Sequence, residues 1–240
     1  MRGRTARSVT EAVQAAAIRR RIRIPLRFAD GYATTATVIS FTGLADAQQH
    51  VALELGRPAA ARLPLVRLHS ECLTGDVFGS QRCDCGPQLR EAVERITKHG
   101  GYVLYLRQEG RGIGLYDKLD AYALQDRGLD TYDANLALGH QADERDYTSA
   151  AQMLRTLGAA RIALLSNNPD KSAQLARLGI TIARQVPTAL HLTGTNAAYL
   201  ATKARRGGHD LLARGLERTA EPHRHADPRS GPVQLGTDGQ

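Results

Sequence analysis

The chain has 240 residues, enough for one sizeable domain, and its 42% hydrophobic and 23% charged residues are typical of a soluble globular protein. No apolar run approaches the roughly 18 residues that span a bilayer, and the first residues do not form a signal peptide. Most of the net charge of +8 lies in the first 23 residues, which hold seven arginines and one glutamate. Terminal charge runs are usually solvated, so we expect neither a membrane nor a nucleic-acid partner.

The sequence begins with a group of predicted strands, after which predicted strands and helices alternate. Residues 1–20 are expected to form a flexible basic arm and residues 217–240 a disordered tail, leaving a single domain over 21–216. Hydrophobic patterning predicts strands at 21–28, 33–40, 50–55, 65–69, 102–106, 161–165 and 181–185, and helices at 88–98, 115–125, 147–157, 170–178 and 196–206. This order predicts an α/β fold in which helices flank a mixed β-sheet.

All three cysteines of the chain, Cys72, Cys83 and Cys85, lie in one polar, glycine-rich segment over residues 69–86. A catalytic zinc keeps three protein ligands and an open position, whereas a structural zinc takes four. Three thiols without a fourth cysteine therefore favour a catalytic metal. Two alternatives stay open: His69 as a fourth ligand of a structural site, and three reduced cysteines packed as small apolar residues. An odd, clustered cysteine count without a signal peptide indicates the reducing cytoplasm.

Four further polar segments adjoin predicted elements. Residues 67–71 lead from a strand end into the cysteines, where α/β proteins gather site residues. The glycine-rich segment 108–114 lies between a strand and a helix, which favours anion binding, although such turns are also common in proteins without phosphate ligands. Segments 142–147 and 166–171 could hold phosphates or be ordinary helix starts and turns.

Together these segments closely resemble the GTP cyclohydrolase II family, through RLHSECLTGDVFGSQRCDCGPQL, RQEGRGIGL, AYALQ, DANLALG, ADERDY, SNNPDK and NAAYLATKARRGGH. The motifs run in family order from Arg67 to His209. The resemblance implies that 21–216 is a catalytic domain that hydrolyses GTP to formate, pyrophosphate and 2,5-diamino-6-ribosylamino-4(3H)-pyrimidinone 5′-phosphate. It also implies one zinc ion per subunit, magnesium with the triphosphate, and a homodimer. Too few residues precede Arg67 for the second synthase domain of some relatives, so we expect a single activity.

The resemblance also assigns residues. Cys72, Cys83 and Cys85 match the zinc ligands, Asp143 the proton acceptor, Arg145 the nucleophile toward the α-phosphate, and Tyr122 a tyrosine near the ring opening. The matching GTP contacts are Arg67, Leu68, His69, Ser70, Glu71, Gln88, Glu109, Gly110, Arg111, Thr131, Ser166 and Lys171. Ser166 stands where the family usually has threonine.

The chemistry of arginine conflicts with one of these assignments. A guanidinium with a pKa above about 12 is a poor nucleophile, so the residue chemistry favours phosphate stabilisation by Arg145. Two rival functions stay open. One is a paralogue that stops at the formamide or serves a secondary-metabolite pathway, and the other is a nucleic-acid-binding protein with a structural zinc.

Overall fold

A computed structural model describes residues 16–141 and 143–191, and all structural statements below refer to them. These residues form a seven-stranded sheet with the order β1-β2-β3-β5-β4-β6-β7, flanked by six α-helices. The sheet is mixed, since the first three pairings in this order are antiparallel and the last three are parallel. The α/β fold with a mixed sheet that the sequence predicts is thereby confirmed.

The antiparallel half of the sheet is a meander of three strands. It consists of β1 (Ala17–Arg27), β2 (Ala33–Thr42) and β3 (Val51–Leu55). β1 is an edge strand and is largely exposed, which matches its many arginines. Ala17 pairs with Thr42, so the strand begins inside the segment that the sequence predicted to be a flexible arm.

The parallel half contains β4 (Leu65–Ser70), β5 (Gly101–Leu106), β6 (Arg161–Leu165) and β7 (Thr181–Val186). β4 lies between β5 and β6 and is almost entirely buried, as expected of a strand covered on both faces. Gly101 allows β5 to approach β4 closely, because a Cβ at this position would lie 1.9 Å from the carbonyl oxygen of Leu65. Because β4 pairs parallel with both β5 and β6, the carboxyl ends of these three strands lie at one edge of the sheet.

The helices are α1 (Leu73–Asp76), α2 (Cys85–His99), α3 (Leu115–Gln125), α4 (Thr131–Ala137), α5 (Thr148–Thr156) and α6 (Pro169–Arg177). Two apolar cores lie on opposite faces of the sheet, since neighbouring β5 residues such as Val103 and Leu104 belong to different clusters. One core receives α5 and α6 through Met153, Leu154 and Leu175. The other receives α2 through Ala92, Val93 and Ile96.

The structure departs from the sequence prediction mainly around the site. α1 and α4 were not predicted, nor were the 3-10 turns at Pro58–Ala60 and Glu109–Gly112. Helix α2 begins at Cys85, three residues earlier than predicted, because Asp84 and not a later residue occupies its N-cap position. The predicted helix at 196–206 and the tail at 217–240 lie outside the described residues. Among the helices that are described, none combines the length and the apolar character that a bilayer crossing requires.

Candidate active site

The site lies where the parallel strands end. His69 and Ser70 end β4, Gln108 follows β5, and Ser166 follows β6. The carboxyl ends of parallel strands are the usual position for ligands in α/β sheets, because the loops that follow diverge there. The predicted segments 67–71, 108–114 and 166–171 therefore meet at one edge of the sheet.

The three cysteines come together although they lie on different local structures. Cys72 caps the short helix α1, Cys83 lies in the following loop, and Cys85 starts helix α2. Their sulfur atoms all lie within 4.8 Å of one another, and the Sγ atoms of Cys72 and Cys83 are 3.7 Å apart. The thiols are free, since a disulfide would require a sulfur separation of about 2.05 Å.

This donor set fits a zinc ion. A tetrahedral site with Zn–S bonds of about 2.3 Å places its sulfurs about 3.8 Å apart, which is close to the observed separation. Gly75 keeps the space clear, because a Cβ there would lie 2.7 Å from the sulfur of Cys83. The pKa of Cys72 lies well below its ordinary value, owing to hydrogen bonds with Cys83 and Cys85 and to the charge of Lys118. A metal ligand must be such a thiolate.

His69 interacts with a carboxylate. Its Nε2 lies 3.0 Å from Oδ1 of Asp76, and its ring stacks on Tyr105 at 5.5 Å between centroids. The hydroxyl of Tyr105 donates to Asp76 at 2.8 Å, and the Cys72 amide donates to the same carboxylate. Burial lowers the pKa of His69. Within the described residues, the cluster of candidate metal donors consists of the three sulfurs and does not include His69. The geometry thus favours the open three-ligand site.

Lys118 on α3 lies buried against the cysteine cluster. Its ammonium donates to Cys72 Sγ at 3.2 Å, to Thr74 Oγ1 at 3.1 Å and to Glu109 Oε1 at 2.7 Å. Burial acts to lower the pKa of Lys118, but the Glu109 carboxylate and the Cys72 thiolate raise it above its ordinary value. Glu109 also accepts from the amide of Leu73 at 2.7 Å. Both carboxylate oxygens of this predicted GTP contact are therefore bound within the protein.

The glycine-rich turn has an unusual backbone. Gly110 and Arg111 have φ values of 62° and 66°, in the left-handed region that a non-glycine residue seldom adopts. The guanidinium of Arg111 lies 4.3 Å above the ring of Tyr132. The backbone carbonyl oxygen of Arg111 accepts a hydrogen bond from the amide of Glu144. Strained residues of this kind cluster at functional sites. The turn thereby connects α4 to the segment that carries Asp143 and Arg145.

Arg145 and Asp143 form a fork-like ion pair. Nε of Arg145 donates to Oδ1 of Asp143 at 2.8 Å, and a second guanidinium nitrogen donates to Oδ2. Burial acts to raise the pKa of Asp143, but the hydrogen bonds and charge of Arg145 bring it below its ordinary value. The carboxylate therefore stays ionised and orients the guanidinium.

Basic groups also lie beneath the floor of the site. Arg67 is buried and donates to Gln88 Oε1 at 2.5 Å and to the carbonyl of Leu165 at 3.2 Å. Lys171 is equally buried and donates to the carbonyl of Leu68 at 2.7 Å. A cationic floor of this kind favours a polyanionic ligand.

A cleft with about 1190 Å³ of empty space, including its open mouth, joins these groups. Of the residues that the sequence predicted and the structure describes, only Leu68 and Asp143 do not line it; Leu68 contributes its carbonyl to Lys171, and Asp143 contacts the lining residue Arg145. The others line the cleft: Arg67, His69, Ser70, Glu71, Cys72, Cys83, Cys85, Gln88, Glu109, Gly110, Arg111, Tyr122, Thr131, Arg145, Ser166 and Lys171. Which of them contact a substrate stays a prediction.

The cleft also contains polar residues that the sequence did not assign to the site individually, although Gln108, Asn167 and Asn168 lie in the predicted clusters. They include Arg82, Asp84, Gln108, Lys118, Asn135, Asn167, Asn168 and Thr188. Lys118 carried a usable signal, since lysine is rare in this chain compared with arginine. Asn135 lies in the motif DANLALG, whereas Thr188 carried no signal, because single hydroxyl residues occur in many loops.

Comparison with known proteins agrees with this geometry. The family model described as GTP cyclohydrolase II matches residues 20–187. A GTP cyclohydrolase-2 of Psychromonas ingrahamii is 48% identical over 192 residues, which cover 80% of this chain and 96% of that relative. One of Vibrio parahaemolyticus is 52% identical over 177 residues, which cover 73% of this chain and 89% of that relative. A riboflavin biosynthesis protein of Nocardia farcinica is 53% identical over 178 residues, which cover 73% of this chain and 43% of that protein. The cysteine cluster, the cleft and these similarities show that the chain belongs to the GTP cyclohydrolase II family.

Proposed function

We propose that this protein is a zinc-dependent GTP cyclohydrolase II, which converts GTP to formate, pyrophosphate and the diaminopyrimidinone ribosyl phosphate in riboflavin biosynthesis. One observation carries the proposal: three sulfurs with zinc-like spacing share a cleft with a cationic floor. The sulfur cluster would lie beside the purine of GTP, and the basic groups would lie beside its triphosphate. The nucleic-acid-binding alternative requires a structural zinc with His69 as a ligand, whereas the donor cluster of the described residues consists of three sulfurs without His69.

The ring-opening centre would be built around the cysteines. A zinc ion held by Cys72, Cys83 and Cys85 would supply Lewis-acid activation of water for hydrolysis of the imidazole ring. Tyr122 lines the same part of the cleft, and burial raises its pKa, so its hydroxyl stays protonated at neutral pH. It can therefore donate a proton to a ring nitrogen that leaves. The His69–Asp76 pair holds the loop that carries Cys72 in position.

The phosphate centre would be built around Arg145 with Arg111 and Lys171. A guanidinium oriented by Asp143 presents a fixed donor fork to a phosphate, and an ion pair of this kind makes Arg145 a stabiliser of charge in the displacement of pyrophosphate. We assign it that role in preference to nucleophile, because the Asp143 carboxylate strengthens the protonated form of Arg145. We further propose that magnesium binds with the triphosphate and neutralises the leaving group.

We also propose a homodimer in the cytoplasm. The reduced thiols favour a reducing compartment. The exposed edge strand β1 offers a surface for pairing with a second copy, and Ile22 and Ile24 are exposed on it. Light scattering of the purified full chain distinguishes a dimer from a monomer.

The decisive experiment incubates zinc-loaded protein with GTP and magnesium and follows formate and pyrophosphate separately. Release of both products in equal amounts is the expected result. Pyrophosphate without formate would indicate the paralogue that stops at the formamide, and neither product with intact zinc would overturn the enzyme assignment. Cys83→Ser should lose formate release, while Val77→Ala, an exposed change in the same loop, should behave as the unaltered protein does. A Cys83→Ser variant with both activities intact would refute the metal assignment.

A further inference from the structure

Lys118 occupies a position that the predicted GTP contacts do not explain. Only 8% of the residue is exposed, and each of the three hydrogens of its ammonium has an acceptor inside the protein. One acceptor is the sulfur of Cys72, at 3.2 Å. The other two acceptors are Thr74, which lies in α1, and Glu109, which lies in the glycine-rich turn. Lys118 therefore has no donor left over for a substrate.

The choice of lysine at this position is informative. The chain contains four lysines among its 32 basic residues, yet one of them is buried at the metal cluster. An ammonium is a compact charge with three donors that can point at three converging acceptors, whereas a guanidinium is planar and larger. The acceptors on Cys72, Thr74 and Glu109 match the three donors of an ammonium in number.

The charge of Lys118 has a consequence for the sulfur that it touches. Three thiolates and one divalent zinc ion carry a net charge of −1, and thiolates donate electrons strongly to a metal. An N–H···S bond from a cation withdraws electron density from one of them. Hydrogen-bonding partners of this kind orient metal ligands and adjust their donor strength.

We propose that Lys118 is a positioning residue that holds the Cys72 thiolate and weakens its electron donation to the metal. Through Glu109, which also accepts from the amide of Leu73, the same ammonium fixes the glycine-rich turn to the cysteine loop. The metal ligand and the neighbouring wall of the cleft thereby keep one relative position. This inference rests on the proposed metal site.

The test replaces zinc by cobalt in the full chain and records the sulfur-to-cobalt charge-transfer bands. Lys118→Met removes the charge and keeps the side-chain length, so the bands should move to longer wavelength as the Cys72 sulfur becomes a better donor. Zinc affinity, measured by competition with a chromophoric chelator, should fall by roughly 10- to 100-fold. With saturating metal, kcat should fall while KM for GTP changes by less than about threefold, because the ammonium has no donor left for GTP.

Three controls separate this proposal from its alternatives. Lys98→Met is the same substitution at an exposed lysine on α2. It should leave the band positions, the zinc affinity, kcat and KM unchanged. Lys118→Arg keeps a charged donor and should move the bands back toward their original position; a role in packing alone would instead make Met the better replacement. Unaltered protein that binds no cobalt through sulfur would refute the metal site itself.

Unchanged bands and zinc affinity in Lys118→Met would overturn the role of the lysine while leaving the metal site intact. Where Lys118→Met does not fold, Lys118→Gln decides, since it removes the charge beside the Cys72 sulfur but keeps a polar side chain. A smaller shift in the same direction supports the proposal, and bands identical to those of the unaltered protein refute it.

Discussion

Arg145 binds the carboxylate of Asp143, two residues before it, through two guanidinium nitrogens and also through its own backbone amide. The pair lies in a segment without regular secondary structure, between α4 and α5. Only the arginine reaches the cleft lining. The geometry therefore distinguishes a guanidinium that lines the cleft from a carboxylate that orients it.

This division predicts different effects for the two residues. Arg145→Lys keeps a charge but loses the planar fork, so pyrophosphate release should fall by about 100-fold or more. Asp143→Asn keeps the shape of the side chain but weakens its hold on the Arg145 guanidinium. Pyrophosphate release should therefore fall by about 10- to 100-fold, as expected from the loss of a charged hydrogen bond. The measurement is single-turnover pyrophosphate release at saturating GTP. An Arg145→Lys variant that keeps full activity would contradict the phosphate role.

Gly75→Ala should disturb the cysteine cluster directly. The added Cβ would lie 2.7 Å from the Cys83 sulfur and 3.1 Å from the Cys72 sulfur, so at least one thiol must move. We expect zinc affinity to drop by at least about tenfold, since metal ligands tolerate little displacement. Competition with a chelator measures it, and Val77→Ala in the adjoining loop serves as the matched control. Equal zinc affinities in the two variants would show that the loop can relax.

Tyr122→Phe should separate the two hydrolytic events. The variant keeps the ring that lies 4.8 Å from the Arg82 guanidinium and removes only the hydroxyl. Loss of a general acid typically costs about 10²- to 10⁴-fold, so formate release should fall by that order. Pyrophosphate release should persist, and GMP with an intact imidazole ring should accumulate in place of a ring-opened product. Both products are quantified from the same reaction, and equal slowing of the two would exclude a dedicated role in ring opening.

Glu91 on α2 should contribute stability that depends on pH. It accepts from the amide of Ala189, Arg95 and His191, and so connects the helix to the segment that follows β7. Burial acts to raise its pKa, but these partners lower it from 4.5 to about 2. A carboxyl whose pKa is depressed by folding stabilises the protein above its unfolded pKa and loses that effect as the pH falls from about 4.5 toward 2.

Glu91→Gln should therefore lower the free energy of unfolding at pH 7 by about 2 kcal/mol. Its stability should also decline less steeply than that of the unaltered protein between about pH 4.5 and 2. Urea unfolding at a series of pH values measures both effects. Glu94→Gln on the same helix removes a more exposed carboxylate, and we expect a smaller change. Parallel pH profiles for Glu91→Gln and the unaltered protein would show that the depressed pKa does not act on stability.

Much of the fold followed from local patterns. The sequence predicted each end of β4, β5 and β6 to within one residue. A strand that is buried on both faces appears in the sequence as a short apolar run between polar loops. The three cysteines indicated a metal by their number and clustering alone, and the motif string identified the family. The predictions at β1 and α2 failed at their first residues, since β1 begins earlier through its pairing with β2, and α2 begins at Cys85 within the polar cysteine segment.

The tertiary structure decided how the chemical groups meet. In the sequence, Lys118 lies 46 positions after Cys72, and Glu91 lies 100 positions before His191, so no local pattern could pair them. Such contacts depend on the order in which strands enter the sheet and on where each helix returns to it. The question of whether His69 binds the metal was likewise undecided in the sequence, and among the described residues the cluster of candidate metal donors contains the three sulfurs without His69. Residue types and spacing thus determined which chemistry the chain can perform, and packing across the sheet determined which side chains hold the reacting groups in place.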